Sequence, residues 1–189
     1  MRPRHAVLVL LLCTLGAAAQ PGAHVHGVVT LDIAIEPGRL TLRFEMPQQA
    51  LIGHERAPRN AAERQAAAAL LARLNGSAPL WHVDPALQCM VLRRRVEAPM
   101  LQAPAAHTAP AQVPSTPSTA APEHAEVNAT YELGCAGLGS GAATLRRIDL
   151  GALLDGFKGI ARVEARIAGP AGQHKTSLQR PARQLAWGR

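Results

Sequence analysis

An α+β fold, built mostly of antiparallel strands with one main helix, follows from three features of the sequence. Apolar residues alternate with polar ones over several segments of strand length. A single alanine-rich stretch, about 60–75, carries helical spacing and end signals. Between the two groups of strands, 98–123 turns abruptly rich in Pro and Ala.

The chain opens with a leader. Arg2, Arg4 and His5 precede an apolar run from Ala6 to Leu15, and Ala17-Ala18-Ala19 forms a small-residue exit. This is the layout of a secretory signal peptide over residues 1–19, too short to span a bilayer stably. No later segment reaches spanning length, so the mature chain is expected to be exported and not an integral membrane protein.

From His24 to Ile35 the alternation is strict. Val25, Val29, Leu31, Ile33 and Ile35 share one face, and His24, His26, Thr30 and Asp32 share the other. Glu36-Pro37-Gly38-Arg39 places Pro and Gly at the centre of a type II turn, and alternation resumes from Leu40 to Met46. A β-hairpin is predicted. The segment from Pro47 to Arg59 reads as a loop. Asn60 then caps a helix with Glu63 as its reciprocal partner, and Asn75-Gly76 ends it. Ala66, Ala67, Leu70, Leu71 and Leu74 form its packing face. A strand is expected over about 88–97.

Residues 98–123 hold six prolines with Ala, Ser and Thr and no apolar periodicity, the composition of a disordered or extended linker. Strand patterning returns at 124–135, with Val127, Ala129, Tyr131, Leu133 and Cys135 on one face. Further strands are expected at 143–150, 160–168 and 174–180, with a helical turn at Leu153-Leu154 and a Gly-Pro-Ala-Gly turn at 169–172. The organisation is thus an N-terminal half (20–97), the insert (98–123) and a C-terminal half (124–189) of one domain. Each half opens on a polar-faced histidine and holds a hairpin-like pair, which admits two pseudo-symmetric halves.

Composition excludes several functions. The 189 residues carry 20 basic and 13 acidic side chains, but only five aromatic rings. Nucleic-acid binding needs a basic stripe interleaved with stacking rings, so this charge reads as a solvated surface. There is no nucleophile elbow, HExxH helix or phosphate-cradling loop, and an enzyme is not expected. Cys13 leaves with the leader. The remaining pair, Cys89 and Cys135, reads in an oxidising compartment as a disulfide worth about 4 kcal/mol on the chain-entropy model, with paired metal thiolates as the rival reading.

Three groups of residues have the chemistry of metal ligands. On an extended strand His24 and His26 would project from one face with Cα atoms about 6.5 Å apart, close enough to converge on one ion; the plain alternative is two solvated histidines at a strand start. His124 and Glu126 repeat that spacing, and if the two strands lie close their polar faces can assemble a four-ligand site. His54-Glu55 stands in a loop between Gly53 and Pro58. His107 lies in the insert, and His82 and His174 read as surface residues. Imidazole suits copper and nickel as well as zinc.

The opening "AHVHGVVTLDIAIEPGRLTLRFEMP", the loop "LIGHERAP", the central insert, "HAEVNATYELGC" and the tail "RVEARIAGPAGQHKTSL" follow one another in the order of ZrgA-like proteins, and the chain resembles that family over nearly its whole mature length. These are periplasmic, zinc-regulated bacterial proteins associated with zinc uptake. The resemblance implies a zinc-binding accessory that captures or hands over the ion to a zinc importer or its binding protein. In it, His24 and His26 match the opening histidines, His124 the one ending the insert, and Cys89 and Cys135 the cysteine pair. Two departures stand out. Arg56 replaces a loop histidine, and the insert, often a His/Asp tract in the family, holds only His107 and the bordering His124. The rival expectation is therefore an adaptor that binds a partner without metal.

Overall fold

The computed structural model describes residues 26–102, 125–139 and 145–188. The expected leader, His24, residues 103–123 of the insert with His107, and His124 lie outside them. A six-stranded mixed sheet, in the order β3-β4-β2-β1-β6-β7, forms one layer. The predicted hairpin is β1 (Val28–Glu36) and β2 (Arg39–Pro47), closed by Gly38 at φ 71°, as a type II turn requires. β3 (Cys89–Glu97) and β4 (Glu126–Cys135) extend it on one side, β6 (Arg162–Gly169) and β7 (Gly172–Gln179) on the other. A second, two-stranded sheet pairs β5 (Arg147–Asp149) with β8 (Gln184–Ala186).

The pleat decides the layering. Val29, Leu31 and Ile33 of β1, Leu40, Leu42, Phe44 and Met46 of β2, and all five predicted inward residues of β4 are buried on one side. That side is covered by the main helix α2 (Ala61–Asn75), the short α4 (Gly151–Gly156) and the β5–β8 pair. At its centre Tyr131 stands 4.3 Å from Trp81 and 6.1 Å from Phe44, ring to ring, and donates its hydroxyl to the Leu74 carbonyl at 2.9 Å. Burial pushes that phenol up to about 12. Sheet, helix end and Trp81 loop are joined by one side chain.

Helix α2 begins as its sequence predicts. The Asn60 side chain accepts from the Glu63 amide at 2.9 Å, and Glu63 accepts in return from the Arg59 amide at 2.7 Å. Ala67, Leu70 and Leu74 are buried, whereas Ala66 is exposed and Leu71 only half-buried. The contact stripe is narrower because one helix rests on a twisted sheet.

Several elements differ from the sequence expectation. β1 and β6 pair in parallel, Val28 with Arg162 through Ala34 with Ala168. Alternation defines faces but carries no information about which strand lies alongside or in what direction. The segment after Pro47 opens with a helical turn, α1 (Gln48–Ile52), too short for periodicity to reveal. β8 has three residues and no pattern. Of the insert, Ala98–Gln102 is packed: Ala98 and Leu101 are buried, and Pro99–Gln102 form the one-turn α3.

Cys89 and Cys135 face each other across β3 and β4 and are bonded, which removes them from any ligand set. The bond ties an edge strand to its one neighbour among the described residues and closes a 46-residue separation that contains the insert. Reducing it, or replacing both residues by Ser, is expected to lower unfolding free energy by about 2–4 kcal/mol. The β3 amides should lose exchange protection before those of β1, β2 and β6. Unchanged stability after reduction would mean that the β3–β4 ladder holds without its staple.

Candidate metal centre

One end of the large sheet gathers the candidate ligands. β1 starts there, β2 ends there, and β4 and β6 start there, because β1 runs antiparallel to β2, β2 to β4, and parallel to β6. His26 precedes β1 in a turn and is not part of the strand. The following Gly27 has φ 75°, and its carbonyl accepts from the Ala161 and Arg162 amides at 2.8 and 3.1 Å. The pleat is broken there, so two-residue alternation does not aim His26 along the Thr30–Asp32 face. Its position is set by packing instead. A Cβ on Gly27 would meet the Gly159 carbonyl at 3.0 Å, and one on Gly159 would meet the Ala50 carbonyl at 2.5 Å. Two small residues thus bring the His26 turn against α1, and α1 leads into the His54 loop.

Gln48 holds that loop. Its side chain is fully buried, and Nε2 donates to the carbonyls of His54 at 3.0 Å and Arg56 at 2.8 Å. Both partners only accept, which assigns the amide orientation. The Gln48 backbone amide donates to the Ala125 carbonyl at 2.8 Å, docking the start of β4 beside the loop. His54 Nδ1 lies 3.0 Å from the Arg56 carbonyl. A carbonyl cannot donate, so Nδ1 carries a proton, and in the neutral ring Nε2 keeps its lone pair. This is the tautomer that a metal ligand uses, with the second ring nitrogen anchored to the backbone. Gln48 Oε1 is buried with no hydrogen-bond partner among the described residues, an acceptor of the kind that orients a ligand's N–H.

His26 Nδ1 and Glu55 Oε1 stand 3.4 Å apart, the imidazole 71 % and the carboxylate 35 % exposed. Two donors each bound to one tetrahedral zinc at about 2.0–2.1 Å are separated by about 3.3 Å. The pair therefore has the donor separation of two vertices of one shell. Glu126 is half-buried at the start of β4, opposite Pro47, at this same end of the sheet. Among the described residues no group of three or more His, Cys, Asp or Glu side chains is arranged to hold a metal ion. His24 and His124, two of the predicted ligands, lie outside those residues. His82 is exposed and bridges through its backbone to Asp149, and His174 is half-buried in β7.

Arg56 is a structural cation. Its guanidinium donates to both Glu63 oxygens at 2.7 and 2.8 Å. That pairing, with the Arg59 amide, holds the Glu63 carboxyl down to about 2. The loop carrying His54 and Glu55 is thereby tied to the first turn of α2. Sequence reading found the Asn60–Glu63 cap but not this clasp, nor Gln48, whose role depends on burial. The clasp contributes at pH above the ordinary carboxylate value and is lost as pH falls from about 4.5 towards 2. Carbon-13 titration should place the Glu63 midpoint near the low end of that range, and Arg56→Gln should move it up. A Glu63 midpoint at the ordinary value in the parent would remove the clasp.

No helix among the described residues is long and apolar enough to cross a membrane. No individual curated protein is similar enough to count as a relative. The model of one family, described as ZrgA family zinc uptake protein, matches residues 23–187, from just before the histidine turn to the last strand. The chain belongs to the ZrgA family of zinc uptake proteins.

Proposed function

We propose that this protein is a non-enzymatic, exported zinc-binding accessory that captures the ion in the periplasm and passes it to an importer or its binding protein. The observation that carries the reading is the His26–Glu55 pair, whose donor atoms already have the separation of two ligands on one tetrahedral zinc. His54 supports it, with Nδ1 anchored and Nε2 left basic. The sequence supplies further donor types adjacent to these residues. His24 is two residues before His26, and His124 directly precedes Ala125, whose carbonyl is bonded to Gln48. Glu126 follows. The imidazole–carboxylate donor set suits zinc, copper and nickel alike, and membership of a family of zinc uptake proteins is what favours zinc.

The arrangement suits capture and release better than storage. The pair is exposed rather than enclosed, so ligand exchange with a partner's donors needs no opening of the core. With two cysteines locked in a disulfide, the site has no thiolate to hold zinc against a competing importer. Protons compete for imidazole, so affinity should drop as pH falls below about 6.

Calorimetric titration of Zn²⁺ into mature, metal-stripped protein is expected to show near-stoichiometric binding at neutral pH. His26→Ala and Glu55→Gln should each weaken it by tenfold or more, while an exposed control such as His82→Ala should not. Binding that is indifferent to both changes would move the site elsewhere. An absence of binding in the parent would favour an adaptor that recognises its partner without metal.

A further inference from the structure

The edge strand β3 is built unlike the rest of the sheet. Its nine residues pair on one side with β4, and among the described residues nothing pairs with the other side. About four of its residues therefore direct N–H and C=O groups outward. Met90 and Leu92, at 67 % and 60 % exposure, are large apolar side chains left in water, and both sit on this strand. Leu92 lies over Gly134 of β4, where a bulge shifts the register between Val91 and Arg93. Three consecutive arginines follow. Arg95 is paired with Glu97 at 2.6 Å. Arg93 and Arg94 are exposed and make no ion pair among the described residues.

We propose that β3 is a docking edge for an acidic, extended segment of a partner protein, which adds as a seventh strand beside Met90–Glu97. The charge pattern selects the occupant. A second copy pairing antiparallel about Arg94 would set Arg93, Arg94 and Arg95 against the same three residues, and like charges opposite one another are destabilising. The arginines thus block self-association, a common use of charge on an edge, and leave the same amides open to a strand that carries acidic side chains. Backbone pairing supplies the affinity, Met90 and Leu92 give apolar contact, and Arg93 and Arg94 set the sign of the partner. An anionic membrane surface would also attract arginines, but it has no use for a row of unpaired strand amides. The proposal does not rest on the zinc reading. Its residues are separate from His26 and Glu55, with β4 and β2 between them and β1.

The test uses the mature, disulfide-bonded chain labelled with nitrogen-15. The probe is a nine-residue peptide alternating Glu and Val, with capped ends. Controls are its Lys-for-Glu counterpart, the same acidic peptide N-methylated at alternate residues along one edge, and vesicles of phosphatidylglycerol. The acidic peptide is expected to bind saturably, to shift and protect the amides of Met90–Glu97, and to bind at least tenfold more weakly to Arg93→Glu/Arg94→Glu. That variant should instead favour the lysine peptide. Methylation should abolish binding by removing the ladder.

Four outcomes would overturn the proposal: no saturable binding of the acidic peptide, equal binding of both charges, equal binding after methylation, or perturbation centred away from β3. Stronger, β3-centred binding to the vesicles than to the peptide would assign the edge to a lipid surface. Sedimentation as a dimer that dissociates in the Arg93→Glu/Arg94→Glu variant would assign it to a second copy, and either result also rejects the partner strand.

Discussion

The structure depends on a six-stranded sheet that, among the described residues, is covered on one face only. Period-two alternation in β1, β2, β4 and β6 sends the apolar residues to the side of α2, α4 and the small sheet, and the charged ones to water. The open face is kept soluble by pairs laid across it, such as Arg166 with Asp32 at 2.5 and 2.8 Å and Arg43 with Glu45 at 2.9 Å. Exposed pairs of this kind add little stability individually. They prevent the face from being a hydrophobic liability, and stability comes from the covered side, where Tyr131 links sheet to helix.

A one-sided sheet leaves its ends and edges to carry function, since the middle of one face is core and the middle of the other is a salt-bridged plain. The candidate metal centre occupies an end. It exists because Gly27, Gly159 and Ala50 allow three backbones to approach closely, and because Gln48 substitutes for the backbone ladder where the chain leaves β2. Many of the surplus arginines have structural work that is invisible to a charge count. Arg180 donates to the carbonyls of Ile160, Phe157 and Leu154, closing the end of α4, and Arg73 stacks 4.9 Å over the Phe157 ring. Arg93 and Arg94 of β3 have no such partners among the described residues.

The fold class was legible because alternation and helix signals are local and physical. The hairpin, the Asn60 cap, the inward face of β4 and the cysteine pairing all follow from residues within a few positions of one another or from parity in an oxidising compartment. The candidate site was legible only as chemistry. His26 and Glu55 could be named as ligand types, and their sequence separation gave no sign that they meet at 3.4 Å. The strand expected to aim His26 begins two residues too late, at Val28, since Gly27 adopts a left-handed conformation that alternation cannot foresee.

What sequence by itself determined is therefore everything set by short-range pattern: strands and their buried faces, the main helix and its cap, the break in composition at the insert, and the donor types available to a metal. Only the tertiary structure decided which of these lie together. Strand order, the parallel β1–β6 pairing, the Arg56–Glu63 clasp, the Gln48 anchor and the bare edge of β3 arise from contacts between distant segments. Such contacts depend on backbone approach and burial, quantities that a linear pattern of side chains does not encode.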